Sequence, residues 1–237
     1  MSKLSAVHRG TAFEERSLQL LQAHFSMALR RVGGKSDGGV DLVGWWWLPS
    51  ATKSNRPGAL PDPNGLLRRR LRVLAQCKAE KKKFSPKYVR EMEGVWHLQT
   101  WPSSLAARPP SSSPSTYGPV APDVYPTVAL LLSESVFSKS TVLRAYQSTV
   151  PFLLIHLPCT SSLESSEATP STGDELGTVC PNPTLTHLVK PLSFCWERNP
   201  SAFPAETDAH IRGRPGLWWQ GRKLDSWTPE LPGSDAA

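Results

Sequence analysis

Hydrophobic and polar positions follow two different periods along this chain, and the change of period separates predicted helices from predicted strands. Over residues 13–25 the apolar residues Phe13, Leu18, Leu21 and Phe25 recur at roughly helical spacing, which predicts an amphipathic helix. Residues 28–47 form two extended pieces joined by a glycine-rich turn at 33–39, the second piece spanning 40–47. A further strand is predicted at 71–78, where apolar positions alternate with polar ones.

The second half of the pattern alternates helices with short apolar runs. A helix is predicted at 87–99, with Ser85 as its N-cap and Pro86 near its first position. After it come a buried strand at 128–132, a helix at 135–148 and a strand at 152–157. The order helix, strand, strand, strand, helix, strand, helix, strand predicts an α/β fold with a mixed central β-sheet flanked by helices.

Stretches rich in Pro, Ser, Gly and Thr interrupt this pattern and suggest the domain organisation. Residues 1–9 are expected to be a disordered or targeting N-terminus, and 10–157 to form the core, with loop insertions at 48–67 and 101–127. Residues 158–180 are expected to be a low-complexity linker, and 181–237 an irregular C-terminal extension. Within that extension, a small hairpin turning at Gly221 is the preferred interpretation of the Trp-rich segment.

Composition excludes several classes of protein. The apolar runs are far shorter than the ~18 residues that a membrane-spanning helix needs, so no membrane span is expected. Four cysteines in 237 residues are too few for a disulfide-based fold. None of them forms a C-x-x-C pair, which argues against a structural zinc site.

Positive charge is concentrated in one segment. The chain carries a net charge of +7, whereas residues 66–90 alone contain ten Lys or Arg and one acid, Glu80. Concentrated positive charge is typical of proteins that bind nucleic acid, because each phosphate contact releases counterions. The alternative is an ordinary solvated basic face. The candidate nucleic-acid-binding residues are Arg68, Arg69, Arg70, Arg72, Lys81, Lys82, Lys83 and Lys87.

The same region contains a candidate catalytic group. Asp41 begins a strand after the glycine turn, and Gln76 and Lys78 lie two apart on the next strand, so that their side chains leave the same face. Glu14 lies on the preceding helix. Oxygen ligands of this kind suit Mg²⁺, and a lysine can stabilise developing negative charge. The alternatives are a turn-forming Asp41, an edge-protecting Lys78, a hydrogen-bonded Gln76 and a solvated Glu14.

Four short motifs occur in order along the chain: Gly10-x-x-Phe13-Glu14, Ser36-Asp37-Gly38-Gly39-Val40-Asp41, Gln76-Cys77-Lys78 and Val89-Arg90-Glu91-Met92-Glu93-Gly94. Together with the elements that follow, they resemble the Mrr-type (type IV restriction endonuclease) branch of the PD-(D/E)xK nuclease superfamily. Within that branch, residues 38–46 and the Pro-rich insertions are similar to the fungal family "required for respiratory growth protein 7, mitochondrial".

This resemblance implies a restriction-endonuclease-like core over residues 10–157 and a set of roles. Asp41 and Glu14 would bind the metal, Mg²⁺ or Mn²⁺, and Lys78 would be the catalytic lysine. Gln76 would complete the catalytic group where most of the superfamily has an acid. The implied activity is hydrolysis of phosphodiester bonds in DNA, in a mitochondrial protein linked to respiratory growth.

Two other functions stay open at this point. A neutral amide at Gln76 binds a divalent cation less strongly than a carboxylate, which leaves room for a nucleic-acid-binding module without catalysis. The third interpretation is an organellar assembly factor. DNA as against RNA, and a homodimer as against a monomer, are likewise open.

Overall fold

A computed structural model describes residues 6–32, 39–50, 58–100, 125–158, 177–198 and 213–230. The helices in these ranges are α1 (Ala6–Phe25), α2 (Pro86–Thr100), α3 (Lys139–Tyr146) and α4 (Pro183–Val189). The strands are β1 (Met27–Arg31), β2 (Leu42–Pro49), β3 (Leu60–Pro61), β4 (Leu67–Lys78), β5 (Thr127–Ser133), β6 (Phe152–His156), β7 (Val179–Pro181), β8 (Leu192–Arg198), β9 (Gly213–Trp219) and β10 (Arg222–Lys223).

The main sheet has the strand order β1-β2-β4-β5-β6-β7, with the short β3 also paired to β4. Strands β1, β2 and β4 are antiparallel neighbours, β4, β5 and β6 run parallel, and β7 is antiparallel to β6. The predicted α/β class with a mixed central sheet is therefore confirmed. The register pairs Leu42 with Ala75, which places the start of β2 beside the end of β4.

Each face of the main sheet carries its own apolar core. Phe13, Leu21 and Phe25 of α1 pack on one face, in a cluster that includes Trp46 and Cys77. On the other face, α2 contributes buried side chains to a cluster that contains Leu74, Met92, Leu131 and Phe152. Strand β5 is buried along its whole length, as expected for a central parallel strand covered on both faces.

Most predicted elements are present with shifted ends. Helix α1 begins at Ala6 rather than at residue 13, and β4 begins at Leu67 rather than at residue 71. Helix α3 is shorter than predicted, because the side chain of Ser138 caps it by accepting a hydrogen bond from the backbone amide of Thr141. The predicted loop at 48–67 contains the end of β2 and the two residues of β3.

The C-terminal part corrects the sequence interpretation. Residues 181–237 were expected to be irregular, yet their described part forms α4 and a second, three-stranded sheet of order β10-β9-β8. Leu217 and Trp219 of β9 are buried in the same cluster as α1. Strand β8 alternates Leu192, Phe194 and Trp196 with more polar residues, a signal that the sequence contained. In β9, Pro215 and Gly216 interrupt the pattern. The hairpin predicted at Gly221 is confirmed, with φ of 77° at that glycine.

Some expectations lie outside the described residues. These are most of the turn at 33–39, nearly all of the insertion at 101–127, and most of the linker at 158–180. In the part of the chain that the structure describes, no helix is long and apolar enough to cross a membrane.

Candidate functional site

Asp41 lies immediately before β2, where the backbone ladder between β2 and β4 ends. Its amide donates a hydrogen bond to the carbonyl of Ala75 at 2.8 Å. Its carboxylate oxygen Oδ2 then accepts a hydrogen bond from the amide of Cys77 at 2.6 Å. The side chain therefore takes the place of the next strand acceptor, and it is fixed beside the stretch of β4 that carries Gln76 and Lys78.

Gln76 is a buried polar side chain with an unused acceptor. Only 4% of the residue is exposed, and in the described part of the chain its Oε1 atom has no hydrogen-bond partner. Its Nε2 atom lies so close to Gly39 that a Cβ atom at that glycine would be 3.1 Å away. Since Gly39 also has φ of 85°, glycine is the residue suited to this position.

Lys78 leaves the same face of β4 and lies over an aromatic ring of α2. Its Nζ atom is 5.3 Å from the ring centroid of Tyr88, and Nζ of Lys87 is 4.6 Å from the same centroid. The Tyr88 hydroxyl donates a hydrogen bond to Glu80 at 2.9 Å. Burial first, and then the contact with Glu80, raises the pKa of Tyr88 to about 12, so the phenol stays neutral while its ring attracts the two ammonium groups.

Glu14 approaches from the opposite face of the sheet. Its Oε2 atom accepts a hydrogen bond from Nε of Arg31 at 2.7 Å. Burial raises the pKa of the Cys77 thiol well above its usual value, and the charges of Asp41 and Glu14 raise it further. Glu14 therefore lies near the same end of β4, but its carboxylate is engaged in an ion pair with Arg31.

The side chains at this end of the sheet determine how a metal ion could be bound. Among the described residues, no group of three or more His, Cys, Asp or Glu side chains is placed to share an ion. Asp41 offers one carboxylate, and the unpartnered amide oxygen of Gln76 lies on the neighbouring strand. Mg²⁺ commonly takes one or two carboxylates and completes its shell with waters and substrate phosphate. With Asp41 as the carboxylate, this site suits a cation that is held jointly with a substrate, not one enclosed by protein ligands.

The predicted nucleic-acid-binding set divides into two parts, and Arg68 shows the first. It is only 2% exposed, and it forms an ion pair at 2.9 Å with the equally buried Asp62. It also donates a hydrogen bond to the backbone carbonyl of Asp225. The expectation that Arg68 contacts nucleic acid is corrected, because its guanidinium is used inside the fold.

The other three arginines of β4 are also engaged within the protein. The Arg69 guanidinium donates to the carbonyl of Leu188 at 3.0 Å, and that of Arg72 to the side chain of Gln99 at 2.9 Å. The Arg70 guanidinium lies 4.4 Å from the ring centroids of both Trp45 and Tyr125. These contacts tie β4 to its neighbours. The three residues are half-buried, and their contact with nucleic acid stays a prediction.

Unlike Arg68, four lysines of the same segment have exposed side chains. Lys81, Lys82 and Lys83 are exposed in the connection between β4 and α2, and Lys87 is exposed in the first turn of α2. Lys78 and Lys87 approach the same Tyr88 ring, which links this basic segment to the end of β4 beside Asp41. The exposed positive charge therefore lies close to Asp41, Gln76 and Lys78.

The sequence did not predict several residues that lie close to this end of the sheet. Tyr88 and Glu80 are brought together by the path of the chain between β4 and α2, which no periodicity reveals. Arg9 of α1 forms an ion pair with Glu134, whose amide donates to the carbonyl of Lys78 at 3.1 Å. These contacts join three segments that are distant in sequence, and no local pattern marks them.

Comparison with known proteins gives a family resemblance over the first part of the chain. Residues 5–106 match the family described as "Required for respiratory growth protein 7". This match covers Asp41, Gln76, Lys78 and the exposed lysines, but less than half of the chain.

Two curated relatives agree with this match. An uncharacterized mitochondrial protein of Schizosaccharomyces pombe is 35% identical over 102 residues, which is 43% of this chain and 34% of the relative. The "Required for respiratory growth protein 7, mitochondrial" of Vanderwaltozyma polyspora is 31% identical over 117 residues, covering 39% of this chain and 47% of the relative. The matched regions thus span about a third to a half of each relative. Both names contain the word mitochondrial, which supports the location that the resemblance implied. No solved structure matches the chain.

Proposed function

We propose that this protein is a metal-dependent hydrolase of phosphodiester bonds in nucleic acid, with DNA as the expected substrate. The observation that carries the proposal is the fixed position of the Asp41 carboxylate, bonded to the amide of Cys77 between Gln76 and Lys78. Gln76, with its unpartnered amide oxygen, and Lys78 both belong to the last three residues of that strand, β4. Exposed lysines, suited to a polyanion, lie in the connection that follows.

Each residue of the proposed site has its own role in hydrolysis. Asp41 would hold a divalent cation together with a substrate phosphate, and such an ion lowers the pKa of bound water and neutralises developing charge. Lys78 supplies a positive charge near the phosphate, and the Tyr88 ring keeps its ammonium group in place. Lys81, Lys82 and Lys83 would contact the backbone, which positions nucleic acid without reading its sequence.

The cellular setting of the proposal comes from the relatives. Their names are mitochondrial, and one refers to respiratory growth. A nucleic-acid hydrolase in that compartment would act on the organelle's own DNA or RNA. We therefore propose that the link to respiratory growth passes through the organelle's genetic material.

The test is a cleavage assay on plasmid and oligonucleotide DNA with Mg²⁺ or Mn²⁺. Wild type is expected to cleave, whereas Asp41→Asn and Lys78→Ala are each expected to lose roughly 10²-fold or more of the rate. Arg222→Ala is the matched control, because it removes an exposed positive charge from the second sheet and should cleave like wild type. Thermal melting of each variant separates loss of activity from loss of folding.

A nucleic-acid-binding module without catalysis is the second candidate, and two observations favour it. Gln76 is neutral where a second acid would strengthen metal binding, and Glu14 is paired with Arg31. This function predicts salt-sensitive binding in EDTA, unchanged in Asp41→Asn, with no cleavage in any metal. Absence of both binding and cleavage would instead favour an organellar assembly role.

A further inference from the structure

A cavity of about 320 Å³ opens beside Gln76, between the start of β2 and helix α2. This volume lies at the lower end of the range for small-molecule pockets, roughly 300–1,000 Å³. The lining residues are Gly39, Gln76, Glu91, Met92, Gly94, Val95 and Leu98. Gln76 also belongs to the candidate catalytic group, so whatever occupies this cavity lies next to the proposed reaction site.

The helix that forms one wall leaves room for an occupant. Gly94 lies in the middle of α2, where glycine is less favourable than alanine. A Cβ atom added there would meet no other atom within 4 Å. Leu98, one turn further along the helix, is 82% exposed. Helix α2 therefore presents a gap and an uncovered apolar side chain at the cavity.

The chemistry of the lining selects the kind of occupant. Its one charged residue is Glu91, an exposed acid, so the cavity disfavours a phosphate or another anion. Met92, Val95 and Leu98 offer apolar walls. The Oε1 atom of Gln76 is buried without a partner, and a buried acceptor is stabilised when an N–H or O–H group reaches it. The occupant that fits is neutral and largely apolar, with a hydrogen-bond donor on one edge.

We infer that this cavity binds an unpaired base of the nucleic acid that the protein acts on, with Gln76 accepting a hydrogen bond from an N–H group of that base. A nucleobase is planar, neutral and edged with donors, and amide side chains pair well with base edges. The phosphates on either side of the base would lie toward the exposed lysines. The inference rests on the proposed function for its nucleic-acid ligand, but it does not require cleavage.

The experiment measures binding in EDTA, where cleavage does not occur. The full chain is titrated into two fluorescently labelled single strands of equal length, one of oligo-deoxyadenosine and one with abasic sites throughout. Both strands carry the same backbone charge, so the ratio of their affinities isolates the base. Wild type is expected to prefer the adenine strand about 10-fold, in line with the energy of base contacts in single-strand binding proteins.

Two variants test the cavity itself. Gly94→Leu fills the gap and is expected to abolish the preference for the adenine strand while the affinity for the abasic strand stays unchanged. Gly10→Leu makes the same change in α1, at another glycine with open space around its Cβ position, and should keep the preference. Gln76→Met preserves the side-chain length but removes the acceptor, and it should reduce the preference as well.

The binding and cleavage results together separate the base-binding cavity from the proposed hydrolase activity. Equal affinity of wild type for both strands overturns the inference, and so does an unaltered preference in both Gly94→Leu and Gln76→Met. If wild type shows the base preference but never cleaves, the proposed hydrolase fails while the base-binding cavity stands. If wild type cleaves and binds both strands equally, the hydrolase stands and the cavity assignment fails.

Discussion

The carboxylate of Asp41 accepts a hydrogen bond from the backbone amide of Cys77 at a distance of 2.6 Å. This bond joins the residue just before β2 to the strand that carries Gln76 and Lys78. It gives Asp41 a structural role, since it completes the backbone pairing of β4. It also holds beside β4 the carboxylate to which we assign the metal ion in the proposed function. The two roles can be separated by substitution.

Asp41→Ala is expected to lower the free energy of unfolding by about 1–3 kcal/mol, because the amide of Cys77 loses its acceptor. Asp41→Asn retains an oxygen that can accept the same hydrogen bond, so it should cost clearly less. Urea denaturation of both variants measures the difference. Equal stability of the two variants would show that the bond to Cys77 contributes little to folding.

The ion pair between Arg68 and Asp62 leads to a second prediction. Both side chains are almost fully buried, so Arg68→Ala leaves an uncompensated charge and should destabilise the fold by about 3–5 kcal/mol. Chemical denaturation measures this loss. A change within about 0.5 kcal/mol, the usual range for exposed sites, would contradict the buried pair.

Lys82→Ala is expected to behave in the opposite way. Because Lys82 is exposed, its loss should leave stability within about 0.5 kcal/mol of wild type. If Lys82 contacts a phosphate, the plot of log affinity for DNA against log salt should become shallower by about 1. An unchanged salt dependence would remove Lys82 from the proposed nucleic-acid surface.

The sequence correctly predicted the helices and strands of the central fold. The helical period of α1 and α2 is long, and β2, β4, β5 and β6 carry strand patterns without a competing helical period. Strand alternation and the glycine turn also predict that Asp41, Gln76 and Lys78 lie at the same end of the sheet. The hydrogen bond from the amide of Cys77 places the Asp41 carboxylate beside β4, and the shared site stays a prediction.

Other features depend on contacts between distant segments, which periodicity cannot show. Arg68 and Lys82 look alike as basic residues in one charged run, yet one is buried against Asp62 and the other is exposed. Glu14 has the residue type expected of a metal ligand, but the pairing of β1 with β2 brings Arg31 within reach of it. The second sheet was missed because Pro215 and Gly216 interrupt the pattern of β9, and because residues 199–212 separate β9 from β8 in the sequence.

Tyr88 leads to a prediction on pH dependence. Its pKa is raised from 10.0 to about 12, chiefly by burial, so the folded state holds the phenolic proton more tightly than the unfolded state. This contribution to stability is complete below pH 10 and is lost as the pH rises through the folded-state value of about 12. Near-ultraviolet titration should show a late phenol ionisation, and Tyr88→Phe should remove that late step. A titration curve unaltered by Tyr88→Phe would contradict this environment.

Cys77 should be unreactive in the folded protein. Burial raises the pKa of its thiol, and the charges of Asp41 and Glu14 add to the effect, so the reactive thiolate is scarce. At mildly alkaline pH, iodoacetamide should modify the half-buried Cys195 well before Cys77, as read by peptide mass spectrometry. Similar rates at the two cysteines would mean that the β4 site is open to solvent.

The proposed function assigns Asp41 and Lys78 to metal-dependent hydrolysis and not merely to the binding of nucleic acid. The most direct test records cleavage with Mg²⁺ or Mn²⁺ and binding in EDTA on the same DNA, for wild type, Asp41→Asn, Lys78→Ala and Arg222→Ala. Metal-dependent cleavage is expected of wild type and Arg222→Ala only, while Asp41→Asn should still bind DNA as wild type does. Binding by all four proteins without cleavage by any of them would contradict the hydrolase and leave a nucleic-acid-binding module.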